Sequence, residues 1–161
     1  MRILGIDPGI SITGYGIIEV QGRELRCLHH GGIRNNGSAA FSEKLLTIHE
    51  NLIEIAREYQ PGLCAVENIF YHQNKKTAIV MGHARAAAML AAARINIPVF
   101  EYSPREVKMS IVGNGNASKT QVQAMVANLL KLGSRPTPAD AADALAVAMC
   151  HYHRQNFLKH L

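Results

Sequence analysis

Residues 2–20 read RILGIDPGISITGYGIIEV, and this stretch decides the fold of the chain. Residues 2–7 are mostly apolar up to the acid Asp7, which predicts a buried strand that ends there. The letters PGISIT predict a turn, and residues 14–20 predict a second strand. Because residues 24–34 predict a third strand after a short turn, we expect the chain to open with three antiparallel neighbours.

The remaining elements follow from hydrophobic periodicity and from helix-capping residues. Continuous apolar runs predict two further buried strands, residues 63–68 and 97–102. Apolar residues at three- and four-residue steps, together with capping signals, predict five helices. Two of these helices cover residues 39–59 and 75–95, with Ser38 and Asn74 as candidate N-caps, and three start at Ser103, Ser118 and Thr137, the last with Pro138 at N1. The expected fold is one α/β domain, a mixed five-stranded sheet with three antiparallel strands and then parallel ones, flanked by helices.

Composition restricts the class of protein. The 161 residues are 48% hydrophobic and 18% charged, which suits one globular domain with a single core. The three cysteines form no C-x-x-C pair, and there is no leader and no apolar stretch long enough to span a bilayer, so we expect a cytoplasmic protein with no membrane contact. The net charge of +5 suits both a polyanionic partner and an ordinary soluble surface.

Four acids mark a candidate site. Asp7 and Glu67 end apolar strands, and ligands collect at the carboxyl ends of strands in α/β sheets. Asp140 and Asp143 lie three residues apart, on one face of the last helix. An Asx-turn at Asp7 and a capping role at N3 for Asp140 are the structural alternatives. Four carboxylates without matched His or Cys ligands predict a site for Mg²⁺ or Mn²⁺, and two such ions can hydrolyse a phosphodiester.

Three segments carry a resemblance to a known family: RILGIDPG at the N-terminus, AVENIF at 65–70 and ADAADALAVA at 139–148. In order and spacing they resemble the RuvC family of Holliday-junction resolvases, which has an RNase H-like fold. The likeness runs from residue 3 to about residue 152, so residues 1–152 are expected to be the nuclease domain and residues 153–161 a poorly ordered tail.

The resemblance implies a Mg²⁺-dependent endonuclease of DNA recombination and repair, with Mn²⁺ as a substitute and two ions per site. Such an enzyme acts as a homodimer and nicks two strands of a four-way junction symmetrically, leaving 5′ phosphate and 3′ hydroxyl ends. Its implied partners are the branch-migration proteins RuvA and RuvB. Some relatives carry histidine at the position of Asp140. The implied catalytic and metal-binding acids are Asp7, Glu67, Asp140 and Asp143.

Aromatic and basic residues near these acids are candidate DNA contacts. The loop GNGNASKT, residues 113–120, leads to a helix N-terminus with Lys119, a position suited to a backbone phosphate. The resemblance places Lys108 beside it near the active site and a base contact at Phe70. A solvated loop for Lys119 and a core position for Phe70 are the alternatives. The complete candidate set is Phe70, Tyr71, Lys75, Lys76, Lys108 and Lys119.

Small residues in the Ala-rich helix and a pair of histidines in the last helix can each be interpreted in two ways. Gly82, Ala86 and Ala93 permit close approach of a second surface to the Ala-rich helix, which is either the protein's own sheet or a second subunit, as the resemblance implies. His151 and His153 have the spacing of a metal pair, but a solvated position at the end of the last helix is expected.

Three rival functions are compatible with parts of the sequence. The phosphate loop of ATP-binding proteins of the actin and sugar-kinase type also reads G-I-D-x-G, but that fold needs a longer, two-domain chain. A non-catalytic junction-binding module has no use for four intact acids. A related RNase H-like nuclease acting on RNA is separated from a junction resolvase only by a substrate assay.

Overall fold

A mixed β-sheet forms the middle layer of the protein. The computed structural model describes residues 1–68 and 74–159. Within them the sheet has five strands, β1 (Arg2–Asp7), β2 (Ile12–Gln21), β3 (Glu24–Arg34), β4 (Leu63–Glu67) and β5 (Val99–Tyr102). Their order is β3-β2-β1-β4-β5. The pairs β1–β2 and β2–β3 are antiparallel and the pairs β1–β4 and β4–β5 are parallel, so the predicted sheet is confirmed.

The strand register brings two of the candidate acids to one edge of the sheet. Ile6 of β1 lies opposite Val66 of the parallel strand β4, so the next residue of each strand, Asp7 and Glu67, emerges at the same end. Parallel neighbours end at a common edge because their chain directions agree.

The described part of the chain holds five helices, which cover both faces of the sheet. They are α1 (Phe41–Tyr59), α2 (Lys75–Arg94), α3 (Pro104–Val112), α4 (Lys119–Leu129) and α5 (Ala139–Lys159). Helices α1 and α2 close one core around buried residues such as Ile17, Ile48 and Leu52. Helix α5, with α3 and α4, closes the other around Ile18, Leu145 and Met149. The burial of apolar side chains on both faces drives this three-layer arrangement.

Local hydrogen bonds define three of the helix starts as predicted. Asn74 accepts a hydrogen bond from the Thr77 N–H at 3.2 Å. Ser103 and Ser118 each open a capping box, in which the serine hydroxyl and the side chain at N3 exchange bonds with the backbone. Ser38 is not the cap of α1, contrary to expectation, because its hydroxyl donates to the Asn36 side chain at 2.9 Å.

The N-cap of α1 is Ala40. Its N–H donates to the Glu43 carboxylate at 3.1 Å. The N-terminus of α1 is therefore capped by the acid at N3 and not by the predicted Ser38. The negative charge of Glu43 also interacts favourably with the positive end of the helix dipole.

The start of α5 also differs from the prediction. The helix begins at Ala139, so Pro138 precedes it, Thr137 is not its N-cap and Asp140 is its second residue. The reason is tertiary. The Pro138 ring packs against Gly32 of β3, where a Cβ would meet Pro138 Cγ at 2.7 Å, and this contact places the proline outside the helix.

The C-terminal end of α5 reaches Lys159, so residues 153–159, which were expected in a poorly ordered tail, are helical. The Arg154 guanidinium pairs with the Glu106 carboxylate of α3 at 2.5 Å. The guanidinium also lies 5.9 Å from the centre of the Tyr102 ring. These contacts attach the last turns of α5 to α3 and to the edge of the sheet.

The expected solvated position is wrong for both histidines of α5, since His151 is buried and His153 is half-buried. His151 is 1% exposed. Its Nδ1 lies 2.8 Å from the Tyr102 hydroxyl. His153 Nδ1 lies 3.1 Å from the Ser110 hydroxyl. Because burial disfavours the imidazolium, it lowers the pKa of both rings.

Candidate active site

Two carboxyl groups meet where β1 and β4 end. Asp7 is only 8% exposed, although it is charged in water, and Glu67 is half-buried beside it. The two side chains are close enough to hydrogen-bond to each other. The strand residues next to them are apolar, and the cation of β1, Arg2, lies at the opposite end of the strand, where it pairs with Glu19. A buried pair of acids of this kind is unstable unless protons or cations neutralise it.

Helix α5 brings two more acids to the same edge. Its first turns cross β1 and β2 closely. A Cβ on Gly14 of β2 would lie 2.0 Å from the Asp140 carbonyl oxygen, and one on Gly5 of β1 would lie 2.0 Å from that of Ala144. Only glycine permits this approach. Asp7, Asp140 and Asp143 are the only aspartates of the chain. All three lie at this junction of sheet and helix.

The electric field of the acids is strong at Asp7. Burial raises the pKa of Asp7 from 3.8 to about 8, helped by the carboxylates of Glu67 and Asp143 and, least, by that of Asp140, while Lys119 opposes the shift. Burial first, and then Asp143, also raises the pKa of Glu67. Asp7, Glu67 and Asp143 therefore form one electrostatic unit, and Asp140 lies at its margin.

Asp143 already has partners in the protein. Lys119 Nζ lies 3.3 Å from its Oδ2. Gln123 Nε2 donates to its Oδ1 at 3.4 Å. Gln123 was missed in the sequence, although its position four residues after Lys119 places both side chains on one face of α4. Lys119 was predicted as a phosphate contact, and in this structure it is also the partner of an acid.

The acids border a small cleft. Its volume is about 150 Å³, and both Lys108 and Lys119 line it. Its walls are formed by Glu67, Pro104, Val107, Lys108, Lys119, Val122, Asp143 and Ala146. Two cations, Lys108 and Lys119, therefore stand beside two of the acids. Lys75 and Lys76 lie exposed in the first turn of α2. Phe70 and Tyr71 lie outside the described residues.

The donors fit a hard divalent cation in their chemistry, since all four candidate ligands are carboxylates. Their arrangement in this structure is not a complete coordination site. In residues 1–68 and 74–159 no three His, Cys, Asp or Glu side chains are arranged to hold a metal ion together. The Asp143 carboxylate contacts Lys119 and Gln123 of α4 rather than the other three acids.

Without metal, the protein is expected to lose stability as the pH rises from about 4 to about 8. The pKa of Asp7 is higher in the folded state than its ordinary value of 3.8, so the stabilisation from its bound proton is complete below 3.8 and is lost as the pH rises through about 8. Asp7→Asn cannot ionise. Its melting temperature in EDTA should therefore fall less than that of the wild type over this range. A difference between the two proteins that stays constant with pH would contradict the burial of an ionisable Asp7.

A family model and the sequences of known proteins match nearly the whole chain. Residues 3–151 match the family model described as crossover junction endodeoxyribonuclease RuvC. The RuvC of Alkaliphilus oremlandii is 49% identical over 157 residues, which covers 98% of this chain and 96% of the relative. The RuvC of Caldicellulosiruptor saccharolyticus is 49% identical over 152 residues, or 94% and 92% of the two chains.

Solved structures give the same result. The structure of Thermus thermophilus RuvC in complex with Holliday junction substrate superposes with a TM-score of 0.92 at 34% identity, and the match covers 98% of this chain and 96% of that one. The yeast mitochondrial Holliday junction resolvase Ydc2 shares the fold, with a TM-score of 0.71 at 17% identity.

The sheet, its helices and these matches define a hydrolytic nuclease of the RNase H-like fold. The described helices include none with the length and apolar character of a membrane crossing. The chain belongs to the RuvC family of crossover junction endodeoxyribonucleases, as the three sequence segments predicted. Family membership decides against the ATP-binding alternative.

Proposed function

We propose that the protein resolves four-way DNA junctions by metal-dependent hydrolysis of two symmetric strands. One observation carries the proposal: burial raises the pKa of two adjacent carboxyls, Asp7 and Glu67, and Glu67 lines a cleft together with Lys108 and Lys119. Acids suit metal ions, and flanking lysines suit the phosphates between which the scissile bond lies. The Thermus thermophilus relative, named with a Holliday junction substrate, supports the choice of DNA.

The metal-binding part of the proposal assigns Mg²⁺, or Mn²⁺ in its place, to Asp7, Glu67, Asp140 and Asp143, with two ions per site. Bound there, the ions would supply an activated water and stabilise the leaving 3′ oxygen, which gives 5′ phosphate and 3′ hydroxyl ends. The protein itself contributes a rigid, poorly solvated pair of carboxylates in Asp7 and Glu67. Lys108 and Lys119 would orient the phosphate and offset its charge.

A comparison of three substrates tests this function. A mobile four-way junction, a linear duplex of the same sequence and an RNA–DNA hybrid are incubated with the protein in Mg²⁺. The junction should be cut at paired, symmetric positions, and the product nicks should be closed by DNA ligase. Binding of the junction without cleavage would favour the non-catalytic module. Preferred cleavage of the hybrid would favour the RNase alternative.

The exposed face of α2 supports the assignment of a homodimer. Gly82, Ala86 and Ala93 lie on this face, away from the sheet, so packing on the protein's own sheet does not explain them. Ile79 and Leu90 on the same face are 62% and 63% exposed. An apolar stripe of this length on a surface helix is typical of an interface between subunits. Two symmetric nicks need two active sites, which a two-fold dimer supplies.

Leu90→Glu is expected to convert the dimer into monomers, because a charge would be buried in the apolar interface. Leu158→Glu is a matched control, since Leu158 is also a helical leucine and is also 63% exposed. Sedimentation velocity of the two variants measures the effect. If both variants sediment like the wild type, the exposed face of α2 is not the dimer interface.

The DNA contacts of the proposal are Lys75, Lys76, Lys108 and Lys119, together with Phe70 and Tyr71. A cytoplasmic location and cooperation with RuvA and RuvB belong to the same proposal and rest on family membership. Lys75, Lys108 and Lys119 lie near the edge where the parallel strands end, whereas Arg94 ends α2 at the opposite edge. This separation offers a test of which surface meets the phosphates.

Junction binding is expected to weaken steeply with salt, with a log–log slope of about −0.9 for each phosphate neutralised. Lys108→Ala should make this slope less steep by roughly one phosphate equivalent. Arg94→Ala removes the same charge at the distant edge and should leave the slope unchanged. Fluorescence anisotropy with labelled junction in EDTA gives both slopes. Equal slopes for the wild type and Lys108→Ala would remove Lys108 from the DNA contacts.

A further inference from the structure

Both carboxylate oxygens of Asp143 are engaged by side chains of α4. The Lys119 ammonium lies 3.3 Å from Oδ2. The Gln123 amide donates to Oδ1 at 3.4 Å. Asp143 is 13% exposed while Lys119 is 77% exposed, so the cation reaches inward from solvent to a carboxylate at the edge of the core. An oxygen held by an ammonium group is not free to coordinate a metal ion.

The placement of Lys119 is built into the start of α4. Ser118 accepts a hydrogen bond from the Gln121 N–H and thereby fixes Lys119 as the first residue of the helix. Gln123 follows one turn later on the same face. The cleft that Lys119 lines also contains Glu67, the second strand-end acid. The ammonium therefore stands at the point where the acids of β4 and α5 approach each other.

We propose that Lys119 occupies the cation position beside Asp143 in the metal-free protein and releases this carboxylate when a divalent ion binds. This positioning role rests on the proposed function for the identity of the metal ligands. The exchange would free the oxygens of Asp143 that Lys119 and Gln123 now engage. Breaking the Lys119–Asp143 ion pair costs little free energy, because an ion pair with so exposed a lysine is weak.

The exchange has a consequence for the order of events. Lys119 leaves Asp143 with its charge unpaired, at the mouth of a cleft whose other lysine is Lys108. A phosphate is the natural next partner for an unpaired ammonium group at this position. Metal binding thus converts Lys119 from a partner of the protein into a partner of the substrate.

Mn²⁺ binding in the absence of DNA tests the exchange. Calorimetric titration compares the wild type with Lys119→Met, which keeps the length of the side chain and removes its charge. Lys119→Met should bind Mn²⁺ more tightly, by up to about fivefold, the range of an exposed ion pair. Lys108→Met removes a charge from the same cleft without breaking a bond to Asp143, and it should change the affinity by clearly less.

A double-mutant cycle isolates the contact itself. In an Asp143→Asn background the Lys119→Met substitution should no longer tighten Mn²⁺ binding, because the competing ion pair is already gone. Thermal melts give an independent readout: Lys119→Met should be less stable than the wild type in EDTA and should gain more from added Mn²⁺.

Three outcomes would overturn the inference: an unchanged or weaker affinity in Lys119→Met, an equal gain in Lys108→Met, or no Mn²⁺ binding by any of the proteins. Junction cleavage by the wild type in Mn²⁺ is measured in parallel. A protein that binds Mn²⁺ as expected but cuts no junction would refute the proposed function and leave the exchange at Asp143 standing.

Discussion

Asp7→Asn is expected to abolish junction cleavage while junction binding stays at or above the wild-type affinity. Asp7 receives the field of Glu67, Asp143 and Asp140, and it is the most deeply buried of the four acids. Asparagine has nearly the same shape but no charge, so a metal ion loses a central ligand while the fold is kept. Loss of such a ligand raises the activation barrier by several kcal/mol, so the cleavage rate should fall by about three orders of magnitude or more.

Two measurements separate chemistry from binding in this variant. Single-turnover cleavage is followed in Mg²⁺. Junction affinity is measured in EDTA above about pH 8, where Asp7 is ionised and removal of its negative charge near phosphate should strengthen binding. Glu19→Gln is the control, because Glu19 pairs with Arg2 at the opposite end of the same strands. A folded Asp7→Asn protein that binds no junction would show that Asp7 serves the structure.

Asp143→Asn is expected to be the more severe of the two substitutions on α5. The Asp143 carboxylate is the second largest charge acting on Asp7 and the largest acting on Glu67 after burial, whereas Asp140 is the weakest contributor at Asp7. Cleavage should fall by orders of magnitude in Asp143→Asn and by less in Asp140→Asn. Both should change the free energy of unfolding by less than about 1 kcal/mol, since asparagine is tolerated near helix starts.

Thermal melts in EDTA, beside single-turnover cleavage in Mg²⁺, test this ranking. Variants that melt several degrees lower but cut at the wild-type rate would show that the two aspartates stabilise the helix and hold no ion. A larger cleavage defect in Asp140→Asn than in Asp143→Asn would contradict the electrostatic order of the site.

The element order of the fold was predictable because it depends on local patterns. Apolar runs and turn signals located the five strands of the described residues. Periodicity and capping signals located the helices, since burial on one face and a helix start both leave local patterns in the sequence. The boundaries were less predictable. Strand β5 begins at Val99 rather than at residue 97, because Pro98 has no N–H for the ladder, although its carbonyl accepts a bond from Cys64.

Features that depend on contacts between residues far apart in the chain could not be predicted from the sequence. His151 is buried because Tyr102, 49 residues earlier, provides a hydrogen-bond partner. The pairing of Lys119 with Asp143 spans 24 residues and depends on how α4 packs against α5. The strand-end acids, in contrast, were found correctly as neighbours, because two parallel strands that end in acids must place them at one edge.

The close contact of α5 with β1 and β2 has a consequence for variation among related chains. At Gly5 and Gly14 the strand backbone lies directly under helix carbonyl groups, with no side chain between them. The offset between Asp7 and the aspartates of α5 is therefore fixed by main-chain dimensions, which are the same in every protein. Alanine, leucine and valine residues elsewhere in the core can be exchanged over generations without shifting this offset. The spacing of the candidate catalytic acids therefore does not depend on substitutions in the hydrophobic core.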